Sequence, residues 1–584
     1  MKIKMRVLAA LMGAAFAAAA ATAAPVTQEG VGNGRDGPVK VAVTFDGGKI
    51  TDIKVLEQNE NPLLAKRVFT DLKDAVIATN STGVDGISGA TYSSKGFLGA
   101  VEDAAKKAGV TLSKADKKLI KKTARSLPAE STYDVVVVGA GAAGFAAGIE
   151  AKRAGASVVM LEKMPQVGGN SLISGGEMNV ANNWVQVKLG LDDSPEQHAK
   201  DTFAGGDKKG DMKVINVMAH QALAAAEWAR DYLKVEFEPD NLFFFGGMSV
   251  KRALIPKGQT GYEWISKMQA KAAELGIPVI TDMKATELIK NKDGRIVGVK
   301  ATSEGKDYTF NAKNGVILAT GGFGANAKMV AKYNPAIDER FKSTDAPGAT
   351  GEALYMAERA GAELVNMSYI QTYPICDPNS GAIELIADSR FDGAIMLNQE
   401  GKRFVEELDR RDVLSKAILE QTGGYCWVLW NDEIGKVSNT VQAHQDEYKG
   451  FTGSGIMTTC DDLKCIADFT KMPLKQLEAT VKRVSSMAGP GNDKDFHHRG
   501  GLVDMSQGKY YVIKAVPSVH HTMGGVRINE KGQVLTKDLK VIPGLWAAGE
   551  VTGVTHGTNR IGGNAYIDCL VFGRLTGMEA AAAK

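Results

Sequence analysis

Gly139-Ala-Gly141-Ala-Ala-Gly144, followed at a distance by Glu162, is the group of residues whose spacing has the clearest chemical meaning. Glycines so placed let the backbone close against a pyrophosphate, and a helix starting there aims unpaired N–H groups and a positive dipole end at the phosphates. An acid at the spacing of Glu162 can hold the ribose hydroxyls of an adenosine. The elements that must present these groups are legible on either side. Tyr133-Asp-Val-Val-Val-Val138 is a short β-branched run, which predicts a buried strand. A helix-compatible stretch runs from the glycines to about Ala154, and Ser157 to Leu161 is a second apolar strand ending at the acid. Together they predict a Rossmann-type dinucleotide site, which FAD or NAD would fit equally.

The rest of the chain bounds what surrounds that site. Its 584 residues exceed one core, so roughly two to four domains are expected. A net charge of +3 with interspersed signs leaves no basic stripe, and nucleic acid is not an expected partner. Lys2, Lys4 and Arg6 precede an apolar run to about Ala21, and Ala21-Thr22-Ala23 suits a signal peptidase. Residues 1–23 therefore read as a removed secretory signal. A membrane anchor fits less well, because the run is short of the ~20 residues needed to span. The expectation is a soluble protein of a periplasm-like compartment with no stable membrane insertion. Five cysteines occur without a C-x-x-C-H, so any cytochrome would have to be another protein. Cys460 and Cys465 could pair or remain buried thiols, and no metal site is expected.

Residues 30–110 open with Val39, Val41, Val43 and Phe45 in alternation, then Asp46-Gly47-Gly48-Lys49, then Ile53 and Val55, the pattern of a hairpin. A helix-like stretch from Pro62 to Asn80 leads to Asp85-Gly-Ile-Ser-Gly-Ala-Thr91. This piece resembles the FMN-binding domain family of bacterial flavin electron carriers, in which the last Thr of S/T-G-A-T is joined to FMN by a phosphoester. The resemblance implies covalent FMN on Thr91, with Ser88, Ser93 and Ser94 as weaker attachment candidates. The lysine-rich residues 111–131 read as a linker or as a solvated helix face.

From 131 to 584 the motifs resemble the flavoprotein branch that holds soluble fumarate reductases, succinate dehydrogenase flavoproteins and related enoate reductases. They are Gly168-Gly-Asn-Ser171, Ser174-Gly-Gly176, Ala319-Thr-Gly-Gly-Phe323, His520-His-Thr-Met-Gly-Gly525, Gly544 to Glu550, and His556-Gly-Thr-Asn-Arg560-Ile-Gly-Gly-Asn564-Ala. The resemblance implies an α/β chain: a Rossmann-type FAD-binding domain over 131–370 and 520–584, with an inserted α+β capping domain over 371–519. A small α+β FMN-binding domain precedes them. Non-covalent FAD would contact Gly139, Gly141, Ala143, Gly144 and Glu162, then Asn170, Ser171, Gly175, Gly176, Thr320 and Gly321. His521, Glu550, Asn564 and Ala565 would complete its site.

The same resemblance implies roles for two arginines and a histidine. Arg411 would donate a proton, or act by electrostatic stabilisation alone, while His520 and Arg560 would hold a substrate carboxylate. The chain departs from fumarate reductases elsewhere. Their Q-x-H-P-T reads Gln371-Thr-Tyr373-Pro-Ile375, so both groups for a second carboxylate are gone. Their R-x-H-R-P reads Arg252-Ala-Leu254-Ile-Pro256, and the acid three before Arg390 is Ala387. Glu177 and Asp388 appear instead, and with Tyr373 they suit a hydrogen-bond donor or a cation at the far end of the substrate. Urocanate, with a carboxylate at one end of a C=C bond and an imidazole at the other, meets these requirements; imidazolepropionate would be the product. Electrons would enter through FMN from an external donor, a membrane-anchored or soluble cytochrome c. The alternatives are another monocarboxylic enoate such as acrylate or an aryl acrylate, fumarate, or a non-catalytic two-flavin carrier.

Overall fold

The computed structural model describes residues 24–34, 37–87, 90–113, 127–338 and 340–583, without the side chains of Leu64, Thr91, Tyr92 and Asp446. The expected leader at 1–23, Ser88 and the lysines of the expected linker lie outside the described residues.

Alternating apolar residues build the N-terminal unit. Strands Val26–Asn33, Pro38–Asp46 and Lys49–Glu57 form an antiparallel sheet, and Val39, Val41, Val43 and Phe45 bury one face. Gly47 and Gly48 turn the hairpin at φ of 54° and 79°, which glycine adopts without strain. The first strand begins at Val26, ahead of residue 30, where the sequence placed the start of this unit. Helix Thr91–Ala108 lies directly on that strand: a Cβ on Gly30 would sit 2.0 Å from the Ala100 carbonyl oxygen.

Strands Glu130–Val138, Val158–Leu161, Val279–Ile280, Lys306–Leu318 and Val541–Ala547 run parallel in one sheet, extended by antiparallel Ile296–Ser303, Lys284–Lys290 and Gln533–Leu535. Val135, Val136 and Val137 are fully buried, as strands covered on both faces require. The last helix, Asn564–Ala582, packs on Ala142–Arg153, close enough that a Cβ on Gly577 would lie 2.3 Å from the Ala147 oxygen. The two ends of the 131–584 region thus share one layer.

A second sheet joins Ile370–Cys376, Tyr510–Thr522, Cys426–Asn431 and Ile395–Leu397, with Met457–Cys460 alongside, over a separate core that includes Trp430, Leu429 and Ile513. The chain enters and leaves this cap through two paired antiparallel strands, Gln371 facing His521 and Tyr373 facing Ser518. Cys460 and Cys465 form a disulfide, while Cys376, Cys426 and Cys569 are free. Among the described residues no helix is long and apolar enough to cross a membrane, and no His/Cys/Asp/Glu group is arranged to hold a metal ion.

Candidate active site

Backbone builds one half of the site. A cavity is lined by Gly139, Gly141, Ala143, Glu162, Asn170, Ser171, Thr320, Gly321 and Glu550, among others. A Cβ on Gly169 or Gly321 would meet no protein atom within 4 Å, so both glycines leave the cavity wall open to a ligand. The helix at Ala142 starts without a side-chain cap, leaving N–H groups for an anion. Glu162 is anchored by the N–H groups of Ala140 (3.0 Å) and Met164 (2.8 Å), and burial pushes its pKa up. A second cavity shares Asn170, Ser171, Glu550 and Cys569 with the first. The two form one elongated cleft, a fit for a dinucleotide whose ring system reaches the second chamber.

Side chains from both domains build the second chamber. Arg411 begins helix Arg411–Leu419 of the cap, and Arg560 lies in the loop before the last helix. Each donates to the same Gln371 Oε1 at 3.2 Å. Two guanidinium groups converging on one neutral oxygen are short of negative charge. Burial lowers the pKa of Arg411, and burial together with Arg411 pulls Arg560 down to about 9. Arg560 Nη2 also lies 3.0 Å from His520 Nε2, and His520 Nδ1 is 2.8 Å from Thr344 Oγ1. Burial and both arginines hold His520 neutral. Its Nε2 therefore accepts from Arg560 while Nδ1–H donates to Thr344; the threonine hydroxyl can reverse that bond and turn Nε2–H toward a carboxylate.

Two acids and a phenol share this chamber with the basic groups. Glu177, Tyr373 and Asp388 line the same chamber as Arg411, His520 and Arg560. Tyr373 donates to Asp388 Oδ1 at 3.3 Å, accepts from Arg390 at 3.4 Å, and lies under Arg411, 4.6 Å from guanidinium carbon to ring centre. Glu177 Oε1 is buried without a partner. Burial, and then Asp388, push the Glu177 carboxyl up to about 7; burial likewise raises Asp388 to about 6.

The sequence-expected residues divide into those that reach the cleft and those that do not. Gly175, Gly176, His521 and Ala565 line the second chamber. Gly144 and Asn564 do not line either cavity. A Cβ on Gly144 would lie 2.0 Å from the Gly139 oxygen, so it packs helix against strand. The Asn564 amide is consumed by Asn179, His198 and Thr202. Leu254 is fully buried in the main core, outside the chamber lining, and Arg252 pairs with Asp193 (2.8 Å) and Asp201 (2.6 Å). The sequence reading passed over Thr344, Phe245, Asp345 and the bridging role of Gln371. The motif flanking Gln371 was the available signal; the other three sit in segments without distinctive spacing.

In the N-terminal unit, Thr91 is the first residue of an 18-residue helix whose N-cap, Ala90, makes no side-chain cap. The Thr91 side chain lies outside what is described. Ser93 donates to buried Glu60, and Ser94 Oγ accepts from Ile87 N–H at 2.9 Å, so both weaker attachment candidates are already engaged.

Comparison with known proteins identifies the family. The FAD binding domain family matches residues 134–566, and the FMN-binding domain family matches 34–106. The chain belongs to the FAD-binding flavoprotein family of fumarate reductase type: it is an oxidoreductase acting on C=C bonds, with FAD and FMN as cofactors. It is 41% identical to urocanate reductase of Eggerthella lenta, over 95% of this chain and 92% of the relative. It is 38% identical to a fumarate reductase (cytochrome) of Shewanella frigidimarina, over 77% of each chain. Among solved structures it resembles the open conformation of a flavocytochrome c3 fumarate reductase, with a TM-score of 0.63 and 36% identity over 77% of this chain and 78% of that one.

Proposed function

We propose that the protein reduces the C=C bond of urocanate to give imidazolepropionate. The observation that carries this reading is the mixed lining of the second chamber, where Arg411, Arg560 and His520 share one enclosure with Glu177, Asp388 and Tyr373. A dicarboxylate would meet two buried acids at its far end. A carboxylate joined through a C=C bond to an imidazole can pair with both sets of groups. The similarity to urocanate reductase of Eggerthella lenta supports the same substrate.

In this reading Arg560 and His520 hold the carboxylate and draw charge toward it, which makes the β-carbon electrophilic. Gly139, Gly141, Glu162, Asn170 and Ser171 would hold FAD, which in its reduced form would supply the hydride for that carbon. Arg411 then protonates the α-carbon; burial reduces its hold on the proton, which eases release. Glu177 and Asp388 act electrostatically on Arg411 and are biased to keep a proton, so they are the acids suited to refill it. The cap closes over the chamber and excludes water, and the open conformation solved for a relative supports such a movement.

Thr91, the first residue of its helix, would hold FMN through a phosphoester, and FMN would supply the entry point for electrons. The donor is an external cytochrome c, and the setting is anaerobic respiration in the periplasm. A substrate panel with a reduced dye tests the reading: urocanate turns over, while fumarate, acrylate and cinnamate-type acids lag far behind. Preference for an aryl or simple acrylate would overturn it. Thr91→Ala should lose the flavin that survives denaturation yet keep FAD; a covalent flavin persisting in that variant would refute the attachment site.

A further inference from the structure

Arg410, the residue before the proposed proton donor, belongs to the cap, yet its guanidinium reaches across to the FAD domain. It meets the Asp207 carboxylate through two bonds, Nη1 to Oδ1 at 2.6 Å and Nη2 to Oδ2 at 3.2 Å. Asp207 Oδ2 also accepts from the Thr558 hydroxyl, two residues before Arg560. A single carboxylate thus ties the start of the Arg411 helix to the loop that carries Arg560.

The backbone around Asp207 is shaped for this contact. Asp207 and Lys208 both adopt left-handed φ, 54° and 58°, which non-glycine residues seldom do singly and more rarely in succession. The loop is laced to the Arg560 segment. Thr558 N–H donates to the Gly206 oxygen at 3.1 Å, Asn559 Nδ2 donates to the Gly205 oxygen at 3.2 Å, and a Cβ on Gly206 would lie 2.3 Å from the His556 oxygen. Asn559 accepts from Gln371 at 2.7 Å, and Gln371 is the residue that both arginines contact. From the cap side, the backbone oxygen of Asp409 packs onto Gly246, where a Cβ would come within 2.5 Å. The two closing surfaces therefore meet in register at residues 409 and 410.

We propose that Asp207 is the catch of the cap: a positioning residue that pairs with Arg410 on closure and sets Arg411 against Arg560 for proton transfer. The pair is partly exposed, with side-chain exposures of 49% for Asp207 and 22% for Arg410. Such a pair is weak and screened by salt, which suits a contact that must part on every turnover. Arg410 has a second partner within the cap, Asp412, at 2.8 Å. That second ion pair lies wholly within the cap and does not depend on contact with the FAD domain.

This inference rests on the reading of Arg411 as the proton donor. The test uses the full-length, flavin-loaded enzyme and whichever enoate the wild type reduces most rapidly, so a wrong substrate assignment does not confound it. Asp207→Asn keeps a residue that tolerates left-handed φ and keeps an acceptor for Thr558 but removes the charge. It should lower kcat roughly tenfold, as expected of a misaligned reacting group, with FAD content and Tm unchanged. Wild-type kcat should fall as salt is raised to about 0.5 M, and the variant should show no such fall. Asp207→Glu should restore most of the loss. Wild-type turnover and salt response in Asp207→Asn would overturn the proposal. A loss that tracks falling Tm or FAD content, unrescued by Asp207→Glu, would also overturn it, because that pattern marks a structural role only.

Discussion

The two chambers of the cleft are built by different means. The nucleotide chamber is rich in glycines and alanines around a helix N-terminus, with Glu162, Glu352 and Glu550 in its lining, and Gly139 to Ser171 supplies one continuous part of it. The substrate chamber is side chain: Glu177, Tyr373, Asp388, Arg411, His520 and Arg560 come from six separate segments of both domains. The first works by shape and N–H groups and can serve any enzyme using the same cofactor. The second works by charge held out of water, and its members shift one another's pKa values, so selectivity among enoates resides there. Damage to the first chamber should register as lost cofactor and stability. Damage to the second should register as altered turnover or substrate choice in a protein that still folds and binds FAD.

The largest effect is expected in the second chamber. Arg411→Ala should lower kcat by about 10³-fold with little change in KM, in line with loss of a general acid. Arg560→Ala should raise KM as well, since it holds the substrate carboxylate throughout. Comparable mild losses from both would erase the distinction between donor and clamp.

Next comes the helix–strand packing that supports the first chamber. Gly144→Val places carbon where the Gly139 oxygen already lies 2.0 Å from a bare Cβ, at a cost of ~3 kcal/mol or more. The flavin-to-protein ratio after desalting should drop and Tm should fall. A variant that keeps FAD and Tm yet loses urocanate selectivity would break the division between the chambers.

Third, Glu177→Ala and Asp388→Ala should each raise KM for urocanate by about 5- to 150-fold, the equivalent of ~1–3 kcal/mol for an imidazole N–H left unpaired in a closed site. FAD content should not change. Tyr373→His should weaken urocanate turnover and admit some fumarate. Unchanged KM in both alanine variants would remove the support for imidazole recognition.

The smallest effect concerns pH. Folding raises the Glu177 carboxyl from 4.5 to about 7, so the folded state holds a proton that the unfolded chain has released. That contribution is fully present below about 4.5 and is lost as pH rises through about 7. Glu177→Gln removes the dependence, so its Tm relative to wild type should be higher at pH 8 than at pH 5, by about 2 °C. An equal difference at both pH values would show that Glu177 is not held at a raised pKa.

Much of this protein was legible before any coordinates. The Val135 to Val138 strand, the glycines and Glu162 are neighbours in sequence, and local backbone preferences largely dictate what they form. The hairpin around Gly47 and Gly48 is local in the same way. The chemical types of the substrate chamber were legible too, because motif departures such as Tyr373 for histidine mark residues one at a time. What the sequence could not supply was mutual position. Gly144 and Asn564 belong to motifs that signal a flavin, yet the fold uses one for helix packing and the other as a buried amide hub. Gln371 joins Arg411 to Arg560, Thr344 orients His520, and Asp207 meets Arg410 across the domain boundary. These pairings lie 40 to 203 positions apart along the chain, where no local preference acts. Only the tertiary structure decides them, because burial and the packing of cap on FAD domain determine which charges are left to find one another.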